Sequence, residues 1–279
     1  MPAPYFPVEK GDFRLSMGLR PLREDSWIEI DDHYEADLAL KAELVNNQRD
    51  SIVASIPSAH QAEQEALELT LQTLKKYFPE RVLQPVSDTN PLVQAALLVQ
   101  EDLVIMQASE NGFRLSSAVV CFPSAWNLAE KVGRDMRHIH EPVPGLNDQI
   151  GNSIDLFFSN MKHEKIVVRY NWGLYDSDQL FQPGWLRNRQ KRPTITASNI
   201  GEQIFLRVEK QTLQRLNARM DALFSIRIFN TPLSDAVAQP ENTKLLLEAV
   251  TSMPDDFRKY KSIEPYLPEL VSYLEQRQG

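Results

Sequence analysis

Cysteine is almost missing from this chain: Cys121 is the only one in 279 residues. A lone cysteine excludes an intramolecular disulfide and fits a reducing cytosol. It also excludes a Cys-rich zinc or iron–sulfur site built by this chain alone. Glycine is scarce as well, with ten residues, and none of them forms a phosphate-cradling loop. There is no Gly-x-Gly-x-x-Gly after a strand, no Gly-x-Ser-x-Gly elbow, no His-Glu-x-x-His and no Cys-x-x-Cys-His. No apolar run approaches membrane-spanning length. The proline-rich start, Pro2 to Pro7, lacks the charged-then-apolar pattern of a secretion signal. Positive charge is also short: the net charge is −8, which argues against a nucleic-acid surface. These absences predict a cytoplasmic protein with neither nucleic acid nor membrane as partner.

The composition that remains, 42% hydrophobic and 24% charged, is ordinary for a globular chain long enough to bury a sizeable core. Residues 1–100 read as a helical lead-in. A helix is predicted over Tyr34–Asn47. Ser58 and Gln61 are spaced as a capping box ahead of a stripe of Leu67, Leu71, Leu74 and Phe78, which Pro79 ends. Asn90-Pro91 marks another helix start. The period then changes. Leu103–Ala108 and Phe113–Phe122 read as a hairpin around Asn111-Gly112. A helix is expected from Ser124 to Val132 with Gly133 as its stop, and another near Asp148–Met161. Three more strands follow, Lys165–Trp172, Ile204–Gln211 and Ala222–Phe229, and helices return from about Asn242, broken at Pro254, Pro265 and Pro268. The predicted fold is α+β: a PAS-like antiparallel sheet of about five strands over 101–235, helices on one face, and a C-terminal helical extension over 236–279.

Two features invite chemistry. His138 and His140 precede Pro142, Pro144 and Gly145, which break regular structure and should leave Glu141 and Val143 non-helical. An extended segment would put both rings on one face, and a helix would turn them apart. Neutral imidazole is the commonest metal ligand, although two surface histidines on a loop would look the same. The last three strands alternate polar and apolar residues. Arg169 and Asn171, then Arg207, Glu209 and Gln211, then Ser225 and Arg227 fall at every second position. They form either a solvated face with cross-strand ion pairs or one polar wall of a pocket. Cys121 and the four tryptophans read as packing residues, and His33, His60 and His163 as exposed.

Four segments together resemble the alpha-subunit family of haem-dependent oxidative N-demethylases, met also as methylamine monooxygenase subunits. They are Gly18-Leu19-Arg20-Pro21-Leu22 with Trp27, and Phe122-Pro123-Ser124-x-Trp126 running through Glu130-Lys131-Val132-Gly133 to Ile139-His140-Glu141-Pro142-Val143-Pro144-Gly145. The others are Arg169-Tyr170-Asn171-Trp172-Gly173-Leu174, and Arg207-Val208-Glu209-Lys210-Gln211-Thr212-Leu213 with Ile226-Arg227 and Pro232-Leu233 beyond it. The likeness spans roughly residues 15–235. Lys210 stands where the family usually has Arg, Asn217 where Pro is common, and Ile228-Phe229 where Thr-Tyr is expected.

The resemblance implies a PAS-like domain binding haem b, with His140 rather than His138 as iron ligand. The chemistry implied is oxidation of the N-methyl group of a small alkylamine by O2, with release of formaldehyde. Electrons would come from NADPH through separate flavin and iron–sulfur reductase subunits. Within that scheme Glu209 would orient the amine or a proton donor, and Asn171 would hydrogen-bond in the pocket. Arg207 and Arg227 would hold the haem propionates or act on oxygen. A PAS-like sensor without turnover is the alternative.

Overall fold

The protein is described here by a computed structural model covering residues 3–81, 87–110, 112–184, 192–216 and 220–278. An extended N-terminal segment leads into a short edge strand β1 (Arg20–Leu22), then α1 (Tyr34–Asn47), α2 (Arg49–Ile52) and strand β2 (Val53–Ser55). Helices α3 (His60–Tyr77) and α4 (Pro91–Ala96) precede the hairpin strands β3 (Asp102–Ser109) and β4 (Gly112–Val119). After β5 (Ser124–Trp126) come the one-turn helix α5 (Met136–His140), α6 (Leu146–Asn160) and the long strand β6 (Ile166–Tyr175). Strand β7 (Gln182–Pro183), α7 (Ile200–Gln203) and the paired strands β8 (Phe205–Arg215) and β9 (Ala222–Pro232) complete the sheets. Helices α8 (Leu233–Ala236), α9 (Pro240–Ser252), α10 (Asp255–Tyr260) and α11 (Leu267–Gln276) end the chain.

Among the described residues the main sheet has seven strands in the order β1-β6-β8-β9-β3-β4-β2, and each neighbouring pair is antiparallel. The α+β class and the antiparallel sheet therefore stand. The five expected strands are all present, and β1 and β2 extend the sheet at its two edges. Those two are three residues long and carry no alternating pattern for periodicity to detect.

Helices cover both faces, not one. Leu103 and Ile105 of β3 pack with Leu44 of α1, Ala66 of α3 and Leu92 of α4. The alternate residues Val104 and Met106 pack with Leu146, Ile154 and Phe158 of α6. Trp172, Leu174, Leu206 and Val208 are covered by α9 and α11 through Leu246, Val250, Leu270 and Leu274. Successive strand residues point to opposite faces, so α6 covers one face, and the other is covered by α1, α3 and α4 over β3 and by α9 and α11 over β6 and β8.

Local signals worked where the side chain itself supplies the bond. Asn90 accepts hydrogen bonds from the backbone N–H of Leu92 and Val93, with Pro91 in the first turn. Ser58 does not cap α3: its hydroxyl donates to Gln107 Oε1 at 3.1 Å, and a 3-10 turn over Pro57–Ala59 leads into the helix. The buried stripe of α3 is Ala62, Ala66, Thr70 and Thr73 with Leu74, while Leu71 is exposed. The helix expected from Ser124 to Val132 is instead β5 followed by a 3-10 turn over Leu128–Glu130. Ala125 at φ 59 breaks any helix there. Pro268 opens α11 rather than breaking it, whereas Pro254 does separate α9 from α10. Asn111 of the hairpin signal, Trp185 and Asn217 lie outside the described residues.

Candidate functional site

The histidine segment is helical where it was expected to be irregular. Asp135 caps α5 by accepting from the His138 N–H at 3.0 Å, and Glu141 keeps helical angles (φ −50, ψ −39) despite the proline after it. One helical turn rotates residues two apart to nearly opposite directions. His138 accordingly faces solvent, with Nδ1 2.8 Å from Asp135 Oδ2. His140 turns inward to line a cavity of about 1090 Å³ between α5, α6, the sheet and the N-terminal segment. Its Nδ1 is buried and has no hydrogen-bond partner. Burial, reinforced by the positive charge of Arg169, pushes the imidazole down to about 4, with the Met136 backbone pulling the other way. The ring is therefore neutral near pH 7, with a nitrogen lone pair free to coordinate a metal.

Strand register decides which polar residues share that cavity. Asn171 of β6 lies opposite Glu209 of β8, and Glu209 opposite Ile228 of β9. Directly opposite residues share a face, so Asn171, Glu209, Gln211 and Arg169 form one polar wall, and all four line the cavity. Glu209 Oε2 accepts from Asn171 Nδ2 at 3.2 Å and from Gln211 Nε2 at 2.6 Å. Its Oε1 takes no hydrogen bond from the described residues. Apolar side chains such as Met106, Leu115, Ile139, Ile150, Phe157 and Phe224 line it as well, together with charged ones that include Glu130 and Lys131.

The two other expected arginines do not join this wall. Arg227 lies opposite Lys210, hence on the far face. There it pairs with Asp31 at 2.6 Å and Asp37 at 3.4 Å and donates to the Ile228 carbonyl at 3.0 Å. Alternation within β9 was readable, but the register across to β8 was not. Arg207 shares the face of Glu209, yet its guanidinium is spent on the protein. It donates to Ser124 Oγ at 2.9 Å and to the carbonyls of Phe122 at 2.9 Å, Leu180 at 3.0 Å and Gln179 at 3.1 Å. It fastens two loops to the sheet and is not among the cavity-lining residues. Cys121 is likewise packing: burial and the nearby Asp102 charge push its thiol up to about 12.

Two cations stand where those arginines were expected. Arg169 lines the cavity with its Nε buried and without a partner. Lys261, just after α10, reaches the edge of β6 and donates to Asn171 Oδ1 at 3.2 Å and to the Trp172 carbonyl. Burial lowers it to about 8, with Glu209 opposing and Arg169 adding to the shift. Lys261 carried no signal in sequence, because it comes from a helical segment remote from the strands. The non-glycine residues at positive φ, Ala125 (φ 59) and Ser262 (φ 58), also line this cavity. Such strain collects at functional sites.

The N-terminal segment closes the cavity, since residues 5–20 line it without interruption. The Tyr5 hydroxyl donates to Glu29, its ring packs on Tyr170 and Phe229 at 4.8 and 5.0 Å, and the Phe13 N–H donates to Ser252 Oγ at 3.0 Å.

Fold and site together define an α+β protein with a large cavity against its main sheet. Its cavity of about 1090 Å³ is cofactor-sized and partly open, with apolar and charged lining, the His140 imidazole and a polar wall on the sheet. Among the described residues no three His, Cys, Asp or Glu side chains cluster to hold a metal ion by themselves, so a metal served by His140 would have to arrive with other ligands of its own. The family described as haem-dependent oxidative N-demethylase, alpha subunit-like, matches residues 18–82 and 80–271, and the chain belongs to it. The family name itself is that of one subunit of an oxidative, haem-dependent enzyme. No helix among the described residues is long and apolar enough to cross a membrane.

Proposed function

We propose that this chain is the haem b-binding subunit of a cytoplasmic monooxygenase that removes a methyl group from a small alkylamine. One observation carries the reading: a family member holds a neutral, half-buried imidazole, His140, with an unpartnered nitrogen facing a large cavity. A haem fits this donor set, because the macrocycle brings four nitrogens and needs one protein ligand and apolar walls. Bound haem would supply the activation of O2.

The chain's own residues do the rest. Glu209 holds and orients the amine, its charge fixed by the Asn171 and Gln211 amides. The N-terminal segment and α6 keep bulk water out. One oxygen atom is inserted at the methyl carbon, giving a carbinolamine that splits into the shortened amine and formaldehyde. The second oxygen atom leaves as water, with two electrons from NADPH. Those electrons need flavin and iron–sulfur partner subunits, because this chain carries neither a dinucleotide fingerprint nor the cysteines for a cluster.

Strand order also supports the PAS-like reading. Taken in chain order, β3, β4, β6, β8 and β9 lie side by side as 2-1-5-4-3, an arrangement PAS-type sheets share. The lead-in, core and C-terminal segments all contribute to the cavity and act as one unit. The test is formaldehyde release from a methylamine by the haem-reconstituted chain, with and without a flavin/iron–sulfur reductase. Formaldehyde in step with amine and O2, only when the reductase or a chemical reductant is present, is the expected result. Reduced haem that binds O2 yet yields none would favour the sensor.

A further inference from the structure

Arg169, half-buried, departs from the buried arginines of the sheet. Arg207 donates to four carbonyls and a hydroxyl, Arg215 to the carbonyls of Met161, Met220 and Phe158, and Arg227 to two carboxylates and a carbonyl. Arg169 makes no hydrogen bond or ion pair with the described residues, although it lines the cavity and buries its Nε. Closing off that N–H without an acceptor is unfavourable unless something else supplies one. The nearest negative charge, Glu209, attracts it but already gives Oε2 to two amides. Lys261 stands on the same wall with two of its three ammonium protons used. This wall therefore presents two cations and one carboxylate, an excess of positive charge facing the cavity.

We propose that Arg169, assisted by Lys261, forms a carboxylate-binding subsite of the cavity. A planar guanidinium with free N–H groups matches a carboxylate in two-point geometry, and the ammonium adds a second charge. Two sources of that carboxylate are open: a propionate of the porphyrin, or the carboxylate of the amine substrate, which would then be an N-methylated amino acid with its nitrogen at Glu209. The inference rests on the reading of this cavity as the ligand site.

Metal-free protoporphyrin IX separates the subsite from the iron ligand, because its binding needs no bond to His140. Its affinity and that of its dimethyl ester are measured by fluorescence for the wild type and Arg169→Gln. The affinities of N-methylglycine and dimethylamine are measured by calorimetry. A propionate partner predicts that the wild type prefers the diacid over the ester by about tenfold or more, and that Arg169→Gln abolishes the preference. A substrate carboxylate predicts that Arg169→Gln loses N-methylglycine by a similar factor and leaves dimethylamine unchanged. Arg169→Lys restores part of either effect. Should Arg169→Gln fold poorly, Lys261→Gln must reduce the same preference. Unchanged affinities for all four probes in both variants would overturn the subsite. Porphyrin binding that depends on Arg169, with a haem spectrum indifferent to His140, would overturn the haem-ligand reading and leave the subsite standing.

Discussion

The two faces of the central strands treat charge in opposite ways. On the far face, Lys210 pairs with Glu29 at 2.5 Å and Arg227 with Asp31 and Asp37, and Lys41 under the neighbouring helices donates to the carbonyls of Ala96 and Val99 at 3.0 and 2.9 Å and to that of Glu101. On the cavity face, Arg169 of β6 and His140 of α5 each keep an unpartnered nitrogen, and Glu209, next to Lys210 in β8, has an oxygen that takes no hydrogen bond from the described residues. The hydrophobic effect cannot distinguish these faces, since both are buried. Partnering can. Lys210, Arg227 and Lys41 each have carboxylate or carbonyl partners, although Arg227 Nε has none, whereas Arg169 has no hydrogen bond or ion pair among the described residues, at a cost in stability.

Breaking the closed face should have the largest effect. Arg227→Met strands Asp31 and Asp37 and is expected to lower unfolding stability by about 3–5 kcal/mol in chemical denaturation. The pH profile comes next. His140 titrates near 4 in the fold against 6.5 when free, so between those values the unfolded chain takes up the extra proton. Stability is then complete above about pH 6.5 and declines as the pH falls toward 4, by on the order of 2 kcal/mol after allowing for partial solvent access. His140→Gln should flatten that decline, and a profile identical to wild type would place the acid-sensitive group elsewhere.

Glu209→Gln should change stability by only about 0.5 kcal/mol, since its amide partners can still bond to the new side chain. Yet amine affinity, read from titration of the haem spectrum, should drop about tenfold or more. Equal affinities would reduce Glu209 to a wall residue. Ser262→Gly is the mildest change: it relieves the positive φ beside Lys261 and should stabilise by about 0.5 kcal/mol. A loss of stability instead would show that the Ser262 side chain contributes packing.

Much of this was legible in the residues because local chemistry carried it. Helix α1 and the Asn90 cap were expected, the cap through its side-chain acceptor, β3 through its β-prone residues beside the Asn-Gly signal, and β6, β8 and β9 through alternation. His140 was singled out by resemblance, and its inward direction follows from a helical turn that the prolines after it concealed. What stayed hidden depends on pairing between distant strands. Arg227 reads as a neighbour of Glu209 until register sets Glu209 against Ile228. Arg207 reads as a pocket cation until the carbonyls of 122–123 and 179–180 close around it. Ser124, expected as a helix cap, takes one of those bonds. Lys261 arrives from 90 residues beyond Asn171, a separation that no window of sequence spans.

The central claim is that the open imidazole on the cavity face is an iron ligand. Its most direct test is the absorption spectrum of the haem-reconstituted chain, compared among wild type, His140→Ala and His138→Ala at neutral pH. Wild type and His138→Ala should show the same strong Soret band and axial ligation, because the His138 ring sits outside the cavity against Asp135. His140→Ala should lose the band or change its ligation, with imidazole added to the solution restoring it in part. An unchanged spectrum in His140→Ala, or a lost one in His138→Ala, would contradict the account.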